Sequence, residues 1–135
     1  MTKERVNVAV VGMGIGRPNG LALSNNARGK VMALCDLDRS RMEGFAKDLP
    51  DSVKFYTDYK EMLEKENLDI VTVATGDNAH TNMVVAAAEA GAKGIFCEKP
   101  LATTLAQADL MIRATENSNT LLSVDHTRHW MPLWH

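Results

Sequence analysis

The chain has 135 residues, which at roughly 150 residues per domain points to one domain with a core of its own. Apolar residues make up 45% and charged residues 24%, so a wholly disordered chain is excluded, and no apolar run approaches the ~18 residues that span a bilayer. The net charge of -2 leaves no overall basic footprint, so neither nucleic acid nor a membrane is expected as a partner.

The chain start runs straight into a strand-like segment, with no apolar leader before it, and the expectation is a cytoplasmic protein. Cys35 and Cys97 lie far apart within apolar runs, a pattern that suits reduced, buried thiols better than paired metal ligands.

Strand and helix patterns alternate along the whole length. Val6 to Val11 is short and β-branched, which predicts a first strand. After a glycine-rich turn, residues 19–26 are expected as a short helix, ended by Asn26, Arg28 and Gly29. Val31 to Cys35 reads as the second strand, and Asp38 or Ser40 caps a helix running to Leu49, before Pro50. Val53 to Tyr56 is a weak third strand.

The segment beginning Asp58-Tyr-Lys-Glu61 opens a helix to Glu66 with capping-box character. Asp69 to Ala74 is the clearest strand of all. Residues 79–90 place Met83, Val84, Ala87 and Ala88 on one helical face, with Gly91 as the terminating glycine. Gly94 to Cys97 is a further strand, Thr104 and Gln107 form a capping box for a helix to Asn117, and Thr120 to Val124 is the last strand. This order predicts an α/β fold with a doubly wound, Rossmann-like parallel sheet in a single three-layer domain.

The first strand feeds Gly12-Met13-Gly14-Ile15-Gly16-Arg17. A dinucleotide site uses one glycine for the tight turn and another where the backbone meets the pyrophosphate, with a helix N-terminus facing the anion. Gly12 and Gly14 fit those two roles. Gly16 comes one residue early for G-x-G-x-x-G, so either the loop is shorter or the helix packs differently on the sheet. Asp36 ends the second strand 24 residues after Gly12, where an acid accepts hydrogen bonds from the adenosine ribose and repels a 2′-phosphate. These residues predict NAD as cofactor, with Arg39 and Arg41 close enough to leave NADP open.

Further segments follow in fixed order: Asp69-Ile-Val-Thr-Val-Ala-Thr75, Asn78-Ala-His80, Ala90-Gly91 and Cys97-Glu98-Lys99-Pro100-Leu101. With the glycine turn they resemble the nucleotide-binding half of the glucose–fructose oxidoreductase / inositol dehydrogenase (Gfo/Idh/MocA) family, over residues 6–132. The loop after Ala74 departs from the family pattern, with Gly76 where proline is usual.

The resemblance implies a hydride transfer between a nicotinamide dinucleotide and a secondary alcohol of the sugar or polyol class. It implies Lys99 as the catalytic residue, near the nicotinamide and the substrate hydroxyl, with a pKa lowered by partial desolvation. Its implied cofactor contacts are Gly12, Met13, Gly14, Ile15, Gly16, Asp36, Thr75, Gly76, Asn78, His80, Glu98 and Lys99, with no metal. The Lys99-Pro100 bond is expected cis. Residues 1–125 are expected to form the dinucleotide-binding domain, and 126–135 to begin the connection to a second, substrate-binding domain that these residues do not include. Turnover by the chain alone is then not expected. A non-catalytic dinucleotide sensor or regulatory module is the alternative. Asp125, His126 and His129 lack a fourth ligand-type neighbour and are not expected to hold a metal. Trp130, Leu133 and Trp134 are expected to form an apolar patch favouring self-association.

Overall fold

A computed structural model describes residues 5–134. Its strands are β1 (Val6–Val11), β2 (Gly29–Cys35), β3 (Lys54–Tyr56), β4 (Ile70–Val73), β5 (Gly94–Glu98) and β6 (Leu121–Asp125). Between them run α1 (Gly16–Asn25), α2 (Arg39–Ala46), α3 (Tyr59–Lys65), α4 (His80–Glu89) and α5 (Leu105–Asn117). All six strands pair in parallel in the order β3-β2-β1-β4-β5-β6. The predicted alternation is therefore the observed one. Because successive crossovers are right-handed, winding outward in both directions from β1 and β4 puts helices on both faces.

Two cores result. Val8, Val10, Val31 and Leu34 of the sheet pack with Met13, Met42 and Phe45 on the α1–α2 face. Ala9, Val11, Val71, Val73, Ile95 and Cys97 point the other way, against Met62 of α3, Val84 and Ala87 of α4 and Met111 of α5. The alternation along β1 shows why its residues are nearly all apolar: both faces of a central parallel strand are covered. Phe45 is 1% exposed, and burial on that scale contributes about 1.5–3 kcal/mol.

Helix starts follow the short-range chemistry. Asp38 accepts from the Ser40 N–H at 2.9 Å and Asp58 from the Lys60 N–H at 2.8 Å, capping α2 and α3. Thr104 accepts from the Gln107 N–H at 3.2 Å, half of the expected capping box. The Gln107 side chain reaches instead to Thr103, whose hydroxyl and N–H donate to its Oε1 at 2.6 and 3.2 Å. Gly91 takes φ +88 after α4, as a terminating glycine should. Helix α2 ends at Ala46, short of Leu49, because i→i−3 bonds from Asp48 and Leu49 tighten its last turn.

The largest difference from the sequence reading is at α1, which begins at Gly16 rather than residue 19. Pro18 falls inside the first turn, where its missing N–H has no intrahelical partner to lose. At Gly16 a Cβ would come within 3.1 Å of Val10 Cγ1 and 3.2 Å of the Ala74 Cβ, and at Gly20 within 2.9 Å of both Phe45 and Val10. The absent side chains let α1 lie close to the sheet from its first residue.

The α1–α2 face is covered over β1–β3 but not over β4–β6. An apolar groove of about 420 Å³ remains there, between Ala22 and Leu23 of α1 and Ile70, Phe96 and Leu121 of the strands. After β6 the chain makes two 3₁₀ turns, Thr127–Trp130 and Pro132–Trp134, with Trp130 and Leu133 exposed. The side chain of Trp134, part of the expected patch, lies outside the described residues. No helix among the described residues is long and apolar enough to cross a membrane.

Candidate dinucleotide site

Strand order reverses between β1 and β4, and open parallel sheets bind ligands in the crevice that such a reversal leaves at the carboxyl ends of the strands. Here that crevice has a volume of about 1070 Å³, lined in part by Gly12, Gly14, Ile15, Asp36, Thr75 and Gly76. Six sequence-predicted residues, drawn from three separate segments, thus share one cavity.

Gly12 adopts φ +90, and a Cβ there would sit 2.2 Å from the Ala74 carbonyl oxygen. Only glycine fits this turn against β4. Gly14 is the opposite case: a Cβ would meet nothing within 4 Å, so its open side faces solvent at the crevice. Met13 turns its side chain into the α1–α2 core at 2% exposure, leaving only its main chain at the turn. Ile15 precedes α1 and supplies no side-chain cap, unlike Asp38 and Asp58 at α2 and α3. The first-turn N–H groups of α1 therefore face the crevice with the positive end of the helix dipole.

Asp36 ties this turn to the next strand. Its Oδ2 accepts from the Met13 N–H at 2.7 Å and its Oδ1 from the Asp38 N–H at 2.9 Å. Each carboxylate oxygen keeps a second lone pair for an outside donor. Arg39 and Arg41 are exposed and engaged locally, with Glu43 at 3.0 Å and Asp38 at 3.5 Å.

Across the reversal, Thr75 follows β4, and Gly76 and Asn78 stand exposed on the 3₁₀ turn before α4. His80 is 0% exposed and does not open onto this cavity. Its Nδ1 lies 2.9 Å from the Pro100 carbonyl oxygen and its Nε2 3.1 Å from that of Thr75. The ring thereby joins the loops after β4 and β5. The Lys99-Pro100 bond is cis, as expected. Lys99 is exposed, so this domain does not itself supply the desolvation anticipated for it.

Glu98 is buried at 6% exposure, and Asp125, at 8%, pairs with it in register on β6. Asn19 of α1 places its Nδ2 3.5 Å from Glu98 Oε1 and 3.5 Å from Asp125 Oδ2. Burial pushes the Glu98 carboxyl above its ordinary value, and the hydrogen bond with Asp125 and its charge push the same way. The N–H of Lys99 and the amide of Asn19 pull against that. Sequence reasoning missed Asn19 and Asp125: Asp125 had been weighed only with His126 and His129, which are exposed while Asp125 faces inward. The signal available was positional, since strands of a parallel sheet that end together bring their last residues side by side. Burial raises both thiols, Cys35 and Cys97, to about 12, which suits inert core residues.

A six-stranded parallel sheet in this order, with a glycine turn at the reversal and an acid ending β2, defines a Rossmann-type domain. The family described as "Oxidoreductase family, NAD-binding Rossmann fold" (GFO_IDH_MocA) matches residues 6–126, and the chain belongs to it. Among curated proteins the chain is similar to D-apiose dehydrogenase of Paraburkholderia graminis, 35% identical over 132 residues, covering 97% of this chain and 35% of that protein. Among solved structures it is similar to myo-inositol 2-dehydrogenase of Lactobacillus plantarum, with a TM-score of 0.86 and 27% identity over 96% of this chain and 38% of that one. An oxidoreductase of Agrobacterium radiobacter in complex with NAD+, L-tartaric acid and magnesium gives a TM-score of 0.84 at 26% identity, over 93% of this chain and 36% of that one. The chain thus spans little more than a third of the length of these relatives.

Proposed function

We propose that the chain is the cofactor-holding part of an NAD-dependent dehydrogenase acting on a secondary alcohol of the sugar or polyol class. The observation that carries this reading is the turn at the head of α1. Its main chain is open at Gly14, its helix N-terminus has no side-chain cap, and an acid with spare lone pairs stands beside it. A dinucleotide fits that donor set: an anion for the N–H groups, ribose hydroxyls for the acid.

On this reading the main chain of Gly12, Met13, Gly14, Ile15 and Gly16 receives the pyrophosphate, and Asp36 accepts from the adenosine ribose. Thr75 and Gly76 line the middle of the crevice, Asn78 stands on the turn beside them, and Glu98 and Lys99 are assigned to the nicotinamide half beyond it. His80 acts from beneath, by fixing the two loops that carry Thr75 and Lys99. When bound, the nicotinamide supplies the hydride chemistry, and the protein's part is to bind and orient. Lys99 is the catalytic candidate: its ammonium donates a hydrogen bond to the substrate oxygen, and its neutral amine takes up the proton of a substrate hydroxyl. Because Lys99 is exposed in this domain, we assign turnover to a protein in which a second domain, reached through residues 126–135, covers it. The names of the relatives support the substrate class, and the cytoplasm is the compartment we expect.

Calorimetric titration of the chain with NADH and NADPH tests the reading. NADH binding, with NADPH weaker, is the expected result. No binding of either at millimolar concentration would overturn it. Asp36→Ser should weaken NADH more than NADPH, and the reverse ranking would overturn the choice of NAD.

A further inference from the structure

Glu98 and Asp125 end neighbouring strands in register, and both are nearly withdrawn from solvent. They alternate with Cys97 and Val124, which places them on the sheet face that carries α1 and the apolar groove. The Asn19 amide stands between them, the Thr127 hydroxyl donates to Asp125 Oδ1 at 2.7 Å, and the Lys99 N–H donates to Glu98 Oε2 at 3.3 Å.

Among the described residues, none of the ion pairs involves either carboxyl. The surrounding charged and titratable groups are Lys99 beyond β5 and His126, Arg128 and His129 beyond β6, all exposed. The cation of α1, Arg17, is turned to Asp48 at 2.9 Å and lies over the Phe45 ring at 5.5 Å. Two adjacent carboxyl groups in so poor a solvent, with neutral donors for company, do not both ionise readily.

We propose that Glu98 and Asp125 share a proton, that Asp125 is a positioning residue that keeps it on Glu98, and that this carboxyl pair at the ends of β5 and β6 thereby discriminates between the oxidised and reduced forms of the cofactor. The inference rests on the reading that the dinucleotide lies along the crevice with its adenosine at Asp36, which brings its other half over β4–β6. With the proton in place the pair carries one negative charge; without it, two. The reduced nicotinamide ring is neutral and the oxidised ring is a cation. The doubly charged pair favours the cation, so binding of NAD+ drives the proton from Glu98 to solvent. By linkage, raising the pH strengthens NAD+ relative to NADH.

The experiment is calorimetry of the chain with NAD+ and with NADH between about pH 5.5 and 8.5, alongside carboxyl 13C NMR of Glu98 in the chain without cofactor. The expected result is a preference for NAD+ over NADH that grows about tenfold across the Glu98 titration, the scale of one charge at short range in a partly solvated site. Other titratable groups are present in the chain, so Asp125→Asn and Glu98→Gln assign the effect: each should flatten the profile. In Asp125→Asn the Glu98 resonance should also titrate at lower pH than in the wild type, burial alone still holding it above an ordinary carboxylate. A wild-type preference that does not change with pH, or a profile that survives in both variants, would overturn the proposal. Should one variant fail to fold, the other decides. If neither cofactor binds, the cofactor reading falls and this role with it, while an elevated Glu98 titration that falls in Asp125→Asn would still establish the shared proton.

Discussion

Where β1 and β2 end, the crevice is shaped by main chain. Gly12 is held at φ +90 against the Ala74 carbonyl, Gly14 leaves its backbone open, and the acid that ends β2, Asp36, is tied to two N–H groups. Where β5 and β6 end, side chains dominate instead: Glu98 and Asp125 are buried with no ion pair among the described residues, and His80 links the adjacent loops through carbonyl oxygens. A main-chain surface has fixed dipoles and cannot change its charge. A surface of buried acids can, and its state depends on pH and on what binds. The contrast suits a ligand whose one half is the same in every state and whose other half changes charge.

The strongest way to break the main-chain half is Gly12→Ala. The added Cβ meets the Ala74 carbonyl and the positive φ is strained as well, so a loss of about 3 kcal/mol or more is expected, read as a lowered denaturation midpoint. Gly14→Ala sharpens the comparison. With nothing within 4 Å of the new methyl, stability should move by less than ~0.5 kcal/mol, while cofactor affinity falls several-fold in calorimetry. Equal affinity in that variant would show that no ligand approaches Gly14.

The smallest effect is expected at the seam between the halves. Thr72 of β4 is 0% exposed and its hydroxyl has no hydrogen-bond partner. Thr72→Val removes the orphaned group at nearly constant shape, and should raise stability by about 1 kcal/mol, seen as a higher Tm.

Much of the fold was legible because each element carries a local signature. The β-branched run of β1, the caps Asp38, Asp58 and Thr104 and the terminating Gly91 all operate within a few residues of themselves. The start of α1 was less legible. It depends on how closely Gly16 and Gly20 approach Val10 and Phe45, contacts between elements that no local pattern encodes. The same holds in the site. Gly12, Gly14 and Asp36 follow from a spacing within one strand–turn–helix–strand unit. The inward turn of His80 and the meeting of Glu98 with Asp125 depend on loops and strands brought together by the sheet, and Asp125 read alone suggested only a discounted ligand set.

The open groove beside α1 has a practical consequence for anyone who handles this chain. Dyes that fluoresce on apolar surface report unfolding because a folded protein ordinarily offers them little purchase. Here Ile70, Phe96 and Leu121 already border an apolar groove in the native state. A dye-based melt should therefore begin bright, and the signal of the folded domain would resemble that of a loosened one. Circular dichroism, which follows the backbone, is the sounder measure of every stability change above.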